Sequence, residues 1–344
     1  MNKTPEQPYK EREKRVNDAI QLKTPDRVPV MIELSYFPAT YTGLTFEAAW
    51  YDYDRWLDAC KKATLDYQPD LVHITPFFPG KVLELLDPKP LRWPGHGVSP
   101  NHSHQYLELE NMKADEYDAF LSDLSDYILR VHLPRVCGAM EPFKMLPPLS
   151  SLGYSYRGAL ALAEALVKPE VAAVIETLQK VGRELGNWRS KMDSFGDEIE
   201  KLGFPRYNPG TAQPPFDTIS DFLRGMQGAM LDMYRQPDKL LEACDRILQG
   251  TLERAIPAAK EKRRSSRLLF MGLHRGSDGF MSLKQFETFY WPTLKKVIFA
   301  VVGAGLIPCV FFEGNWTARL EYLLELPKGK TIGRFDLTDI FKAK

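Results

Sequence analysis

Leu268-Leu-Phe-Met-Gly-Leu273, a helix opening at Ser282, Leu306-Ile-Pro-Cys-Val-Phe-Phe312, a helix opening at Asn315, and Lys330-Thr-Ile-Gly-Arg-Phe335 form the stretch that decides the fold. Its apolar runs are short and continuous, as in strands buried on both faces. The segments between them carry helix signals: Ser282 with Gln285 three residues on makes a capping box, and Asn315 offers an N-cap ahead of Leu320, Leu323 and Leu324. Strands separated by helices are free to run parallel, because each helix carries the chain back across the sheet.

The same rhythm extends outward. A helix is expected from about Tyr9 to Leu22, with Val16, Ala19, Ile20 and Leu22 at helical spacing, and Lys23-Thr-Pro-Asp-Arg27 ends it. Val28 to Leu34 reads as a strand, Thr45 as the N-cap of a helix through Trp50, Trp56 and Ala59, and Leu71 to Thr75 as a second buried strand. A further strand is expected near Gly210 to Pro214, followed by helices to about Arg263. From about 88 to 205 the pattern gives way to a proline- and histidine-rich stretch and then to helical segments. No Gly/Ser-rich spacer sets these apart, so residues 1–344 read as a single domain with a large helical insertion.

No GxGxxG turn follows the first strand, which lowers a dinucleotide fold and favours an α/β, (β/α)8 TIM-type barrel with an N-terminal helix. Six strands are countable, and closure of the barrel requires two more βα units. The expectation is a chain truncated at its C-terminus or, failing that, a homodimer that covers the gap.

Composition narrows the function. Lysine plus arginine and aspartate plus glutamate number 45 each, which argues against nucleic-acid or anionic-membrane binding and for a small-molecule substrate. Cys60, Cys137, Cys244 and Cys309 are widely spaced, as expected of reduced thiols in a cytoplasmic protein. The charged N-terminus lacks a signal-like apolar core, and the apolar run from Val297 to Phe312 is interrupted by Gly303, Gly305 and Pro308. A membrane span is therefore not expected.

In a barrel of this kind the chemistry sits on the loops that leave the strands. Those positions are Glu33 and Tyr36, His73 and Thr75, Gln213 and Asp217, His274, Arg275 and Asp278, Glu313, Asn315 and Trp316, and Arg334 and Asp336. His274, Arg275 and Asp278 place an imidazole, a guanidinium and a carboxylate in one turn, suited to anion binding or proton transfer. Glu313 follows the apolar run directly and is a candidate general base or metal ligand. His96, His102 and His104 include an HxH pair, read here as part of a polar loop, and the basic run Lys260 to Arg267 reads as a solvated patch on the opposite face.

Thr24-Pro-Asp-Arg-Val-Pro-Val30, Gly210-Thr-Ala-Gln-Pro-Pro-Phe-Asp-Thr218, Asp278 to Phe286, Tyr290 to Leu294, Glu313-Gly-Asn-Trp316 and Leu326-Pro-Lys-Gly329 together resemble the uroporphyrinogen decarboxylase superfamily. The true decarboxylases of that group carry an arginine-rich segment after the first strand and a catalytic aspartate after the second. Here those loops read Glu33-Leu-Ser-Tyr-Phe-Pro-Ala-Thr40 and His73-Ile-Thr-Pro-Phe-Phe78, which places the chain nearer the cobamide-dependent methyltransferase branch.

That branch binds zinc through a His-x-Cys pair after the fifth strand and a later cysteine. At the matching position Phe311-Phe-Glu313 leaves Glu313 as the one ligand. The resemblance thus implies corrinoid-linked methyl transfer from a small methylated substrate, with a corrinoid protein as partner, zinc as a possible metal, and Glu313, His274 and Asp278 as catalytic residues. Glu33, Tyr36, His73, Gln213, Asp217, Arg275, Asn315, Trp316 and Asp336 are expected to contact substrate. Two alternatives stand beside it: a decarboxylase acting on a carboxylate or tetrapyrrole-like substrate, and a corrinoid-protein partner without turnover.

Overall fold

The computed structural model of the chain describes residues 6–75, 77–207, 210–261 and 267–342. Its contacts divide into two compact units. The first comprises 1–33, 67–74 and 198–344, and the second 34–66 and 75–197. The expected insertion of about 88–205 is therefore mostly second unit, and that unit also takes in the connection between the first two strands.

In the first unit α1 (Glu6–Ile20) precedes β1 (Met31–Leu34) and β2 (Leu71–Ile74), which pair with each other. Val72 bridges Arg206 in parallel, and Thr211 bridges Phe270 of β3 (Leu268–Leu273) in parallel. β3, β4 (Ile307–Phe312) and β5 (Ile332–Phe335) then form a parallel sheet in that order, with Leu273 opposite Phe312 and Phe312 opposite Phe335. Strand order in space thus follows strand order in sequence. Among the described residues no ladder joins β5 to β1.

The strand expected near Gly210 to Pro214 is reduced to that bridge, because Pro214 and Pro215 lack the N–H groups a ladder would use. Asn208 and Pro209, and residues 262–266 of the basic run, lie outside the described residues.

Alternation along the strands sorts their side chains onto two faces. Leu71, Tyr207, Leu268 and Cys309 form one buried cluster with Met31, Phe270, Ile307 and Ile332, onto which α1 lays Val16 and Ile20. Opposite-parity residues, Leu269, Met271, Leu273, Val310 and Phe312, are also buried, and α2 (Trp291–Gly303) packs on β4. The Thr-Pro-Asp-Arg turn fixes the other end of α1. Arg15 donates to Asp26 and to the fully buried Asp70, Arg27 also donates to Asp70, and the Val30 amide completes the set at 2.9 Å.

The capping box forms as read, with Ser282 Oγ accepting from the Gln285 amide and Gln285 Oε1 accepting from the Ser282 amide. The helix expected from Asn315 is a 3-10 segment, Thr317–Glu325, and Asn315 Oδ1 accepts the Thr317 amide at 3.0 Å.

In the second unit the expected helix after Thr45 is split into Ala48–Tyr51 and Tyr53–Tyr67, preceded by Phe37–Thr42, which ends at Gly43 in the left-handed conformation. A small sheet pairs Leu91–Pro94 with Gly97–Val98 and Gln105–Tyr106, and Met140, Phe143, Ala165, Val171 and Val174 share a helical core. Helix Pro169–Lys201 leads back into the first unit. Among the described residues no helix is long and apolar enough to cross a membrane.

Candidate functional site

The loop leaving β3 is built around Asp217. This carboxyl is fully buried and accepts the amides of His274 (2.8 Å) and Arg275 (3.1 Å) and the hydroxyl of Tyr290 (2.8 Å). Burial, helped by the nearby Asp221, pushes it up to about 7. One helical turn on, Asp221 Oδ2 lies 2.6 Å from His274 Nδ1, and Asp221 Oδ1 lies 3.1 Å from Arg275, whose Nε also donates to Ser220. The Asp221 carboxylate raises the imidazole's proton affinity. It also selects the tautomer with hydrogen on Nδ1, which leaves Nε2 as the nitrogen turned away from Asp221. His274 Nε2 faces Glu313 Oε2 across 3.7 Å.

This corner is packed from below by Trp316, 1 % exposed, and Tyr290, 0 % exposed. A Cβ at Gly276 would sit 2.2 Å from the Trp316 ring, so only glycine lets the loop lie this close. Trp316 is accordingly a packing residue here, with its indole N–H donated to the Glu313 carbonyl. Asn315 starts the following helix, as described above. Asp278 pairs with the buried Arg319 and accepts the Ala318 amide at 2.9 Å, so both its oxygens hold that same helix in place. Glu313, by contrast, is half-exposed, and among the described residues its carboxylate faces the His274 imidazole.

A second polar group lies on the cluster-facing side of the strands. Arg334 on β5 donates to Glu33 on β1 at 2.8 Å, and His73 Nδ1 on β2 lies 3.6 Å from the other Glu33 oxygen. His73 and Arg334 together hold the Glu33 carboxyl down to about 2. The Tyr207 ring meets His73 edge-on at 4.8 Å, and its hydroxyl neighbours the Cys309 thiol. Phe270 connects the two groups: its ring lies 6.4 Å from His73, and both it and His274 Nε2 border the space a side chain at Gly272 would fill.

The structure thus brings together His274, Arg275, Asp217 and Glu313, and separately Glu33 and His73. Gln213 is half-buried just past the Thr211 bridge, and Asp336 is exposed. Tyr36 belongs to the second unit, where it is buried, stacks on Phe46 and Phe77, and shares its hydroxyl with His104 and Trp50. His96 stacks on Trp93 and faces Glu84, while His102 bonds to the Ser103 carbonyl, so the three histidines of that stretch have separate partners.

Among the described residues no three His, Cys, Asp or Glu side chains gather as a metal site. Sequence reasoning passed over Asp221, Tyr290 and Tyr207. The spacing of Asp221 four residues after Asp217, on one helical face, was the available signal.

No family profile matches the sequence, and no curated protein sequence matches it. In three dimensions the chain is similar to a methyltransferase from Methanosarcina mazei, with a TM-score of 0.50 and 13 % identity, over 90 % of this chain and 72 % of that one. At that identity the likeness concerns the fold, and what the two chains share is a methyltransferase-like arrangement of strands and helices.

Proposed function

We propose that this chain is a methyltransferase-branch member of the uroporphyrinogen decarboxylase superfamily, built on a (β/α)8-type barrel and moving a methyl group from a small methylated substrate. The observation that carries the reading is the Asp221–His274 pair at the exit of β3, with Nε2 turned toward Glu313 at the exit of the adjacent β4. Ligand chemistry collects at such strand exits.

In this reading His274 holds a proton at Nε2, stabilised by the carboxylates of Asp221 and Glu313. When the bond between methyl carbon and heteroatom breaks, the electron pair stays on the heteroatom and Nε2 delivers its proton there, leaving a neutral imidazole. Asp217 fixes the backbone that carries the imidazole. A corrinoid on a partner protein, as the resemblance implies, would supply the methyl carrier. Zinc would find two donors, His274 Nε2 and Glu313, which is short of a four-coordinate site, and no step is assigned to it.

The test is methyl transfer to free cob(I)alamin from a panel of methylated amines, thiols and ethers, followed by the cobalamin visible spectrum. His274→Gln and Glu313→Ala should each abolish transfer with the fold retained. Unchanged turnover in both removes the site, and binding of a corrinoid protein without turnover favours the partner role. A decarboxylase reading draws on Asp217, which at about 7 retains a proton near neutrality beside the imidazole. Release of carbon dioxide from trial carboxylates would favour it.

A further inference from the structure

In the second unit, His104 is held by a hydroxyl that has one hydrogen to give. The buried Tyr36 oxygen accepts the indole N–H of Trp50 at 3.1 Å and the backbone N–H of His104 at 3.3 Å, and it lies 2.8 Å from His104 Nδ1. Those two donors occupy its lone pairs, so its own hydrogen goes to Nδ1. Nδ1 is therefore an acceptor, the imidazole is neutral, and its hydrogen is on Nε2. The ring packs edge-on against Trp50, Phe77 and Tyr106, with centroids 5.5–6.0 Å away, and this burial lowers its proton affinity. The bonds tie together the start of helix Phe37–Thr42, the helix Ala48–Tyr51 and the residue before strand Gln105–Tyr106. Between His104 and the rest of its hairpin, the segment is fastened to Ala48–Tyr51 by the Glu47 amide, which donates to the Pro100 carbonyl at 3.0 Å.

A proton added at Nδ1 turns that acceptor into a donor facing an oxygen whose lone pairs are taken. The Tyr36 hydrogen loses its partner, and a positive charge is left among rings. We infer that His104 is an acid-sensitive latch: protonation of Nδ1 detaches the segment from Ser99 to His104 from Tyr36 and uncovers the aromatic cluster of Tyr36, Trp50 and Phe77. The titratable groups on the elements around the ring are Tyr36, Tyr106 and Glu47, whose carboxylate lies against Gly95. Among the described residues no carboxylate pairs with His104, so nothing offsets the added charge. The other two histidines of the hairpin respond differently. His102 donates Nδ1–H to the Ser103 carbonyl and His96 faces the Glu84 carboxylate, so a proton on either leaves its contact standing.

One proton separates the latched and released states. The released fraction therefore grows by up to about tenfold for each pH unit below about 6.5, the ordinary histidine value that the freed ring regains. The experiment uses the whole chain, with no substrate. Long-range proton–nitrogen NMR at neutral pH should find hydrogen on His104 Nε2 and none on Nδ1. Amide exchange of the segment from Ser99 to His104, corrected for its intrinsic pH dependence, should quicken as pH falls from about 7.5 to about 5, with the same midpoint as the His104 titration. His104→Asn keeps an acceptor near the Nδ1 position but does not titrate, and should make that exchange independent of pH. Hydrogen on Nδ1 at neutral pH, exchange that stays flat in the parent, or a midpoint apart from that of His104 would each overturn the inference. So would a folded His104→Asn variant that keeps the parent's pH dependence. The tautomer and the matching midpoints are read on the parent chain, so they decide the matter even if the variant fails to fold.

Discussion

Gly276→Ala is the sharpest test of how the β3 exit loop is held. The added Cβ would lie 2.2 Å from Trp316 Cη2, 2.6 Å from Tyr290 Cε1 and 2.7 Å from Trp316 Cζ2. Relaxed carbon contacts begin near about 3.5 Å, so the closest pair is short by roughly 1.3 Å. Neither ring can yield cheaply. Both are fully or almost fully buried, and Phe286 and Phe312 pack edge-on against Trp316. The backbone at 276 is not in the left-handed region, so the cost is contact alone.

The loop must therefore lift, and lifting draws the His274 and Arg275 amides away from the buried Asp217. Overpacking costs about 1–3 kcal/mol and a partly unsatisfied buried carboxyl a similar amount, giving about 2–4 kcal/mol in total when some strain is shared between them. Urea unfolding followed by tryptophan fluorescence should show a lower midpoint at an unchanged slope. A variant within about 0.5 kcal/mol of the parent would refute the packing argument, since that is the range of neutral surface changes.

Three further outcomes follow from the same loop. Asp217 is held at about 7 when folded against about 4 unfolded, so its stabilising contribution is full below about 4 and is lost as pH rises through about 7. Asp217→Asn should remove that decline in a series of thermal melts, and a parent whose advantage over the variant grows with pH in this window would contradict it. Asp221→Asn should let the His274 proton affinity fall, moving the alkaline limb of the pH–rate profile to lower pH, with no shift if Asp221 merely braces the loop. Asp278→Ala should cost about 3 kcal/mol or more by stranding the buried Arg319, whereas Glu313→Ala should leave denaturant stability within about 0.5 kcal/mol. Equal stability of those two variants would mean the carboxylates have been assigned the wrong way round.

The parallel part of the fold was legible because β3 and β4 are continuous apolar runs bounded by strong helix starts, and the Ser282–Gln285 box was readable from spacing alone. Where proline interrupts donors, at Pro214 and Pro215, the expected strand shrank to a bridge. The division into two units was not readable, because residues 34–66 have ordinary helical patterning and only their packing separates them from β1. His274 and Glu313 could be found by position, since they directly follow strands that pair with each other. Tyr207 could not: it carries no motif, and it is the fold that brings its ring against His73 and its hydroxyl beside the Cys309 thiol.

Strand-end position therefore selects candidates without sorting them, and Asp278 and Glu313 show what does the sorting. Each is an acidic residue in a loop after a parallel strand, and sequence reading gave both the same role. The donors around them differ. Asp278 meets a guanidinium that is itself buried and a helix-starting amide, which stabilise its charge and fix both oxygens. Among the described residues Glu313 meets an imidazole edge, at a distance too long for a hydrogen bond. A carboxylate whose bonds are all used by its own chain has none left for a reactant, while one with lone pairs turned toward an imidazole edge is placed to act on it. The same criterion separates Asp217, committed to three internal donors, from Asp221, which orients the imidazole and leaves Nε2 open.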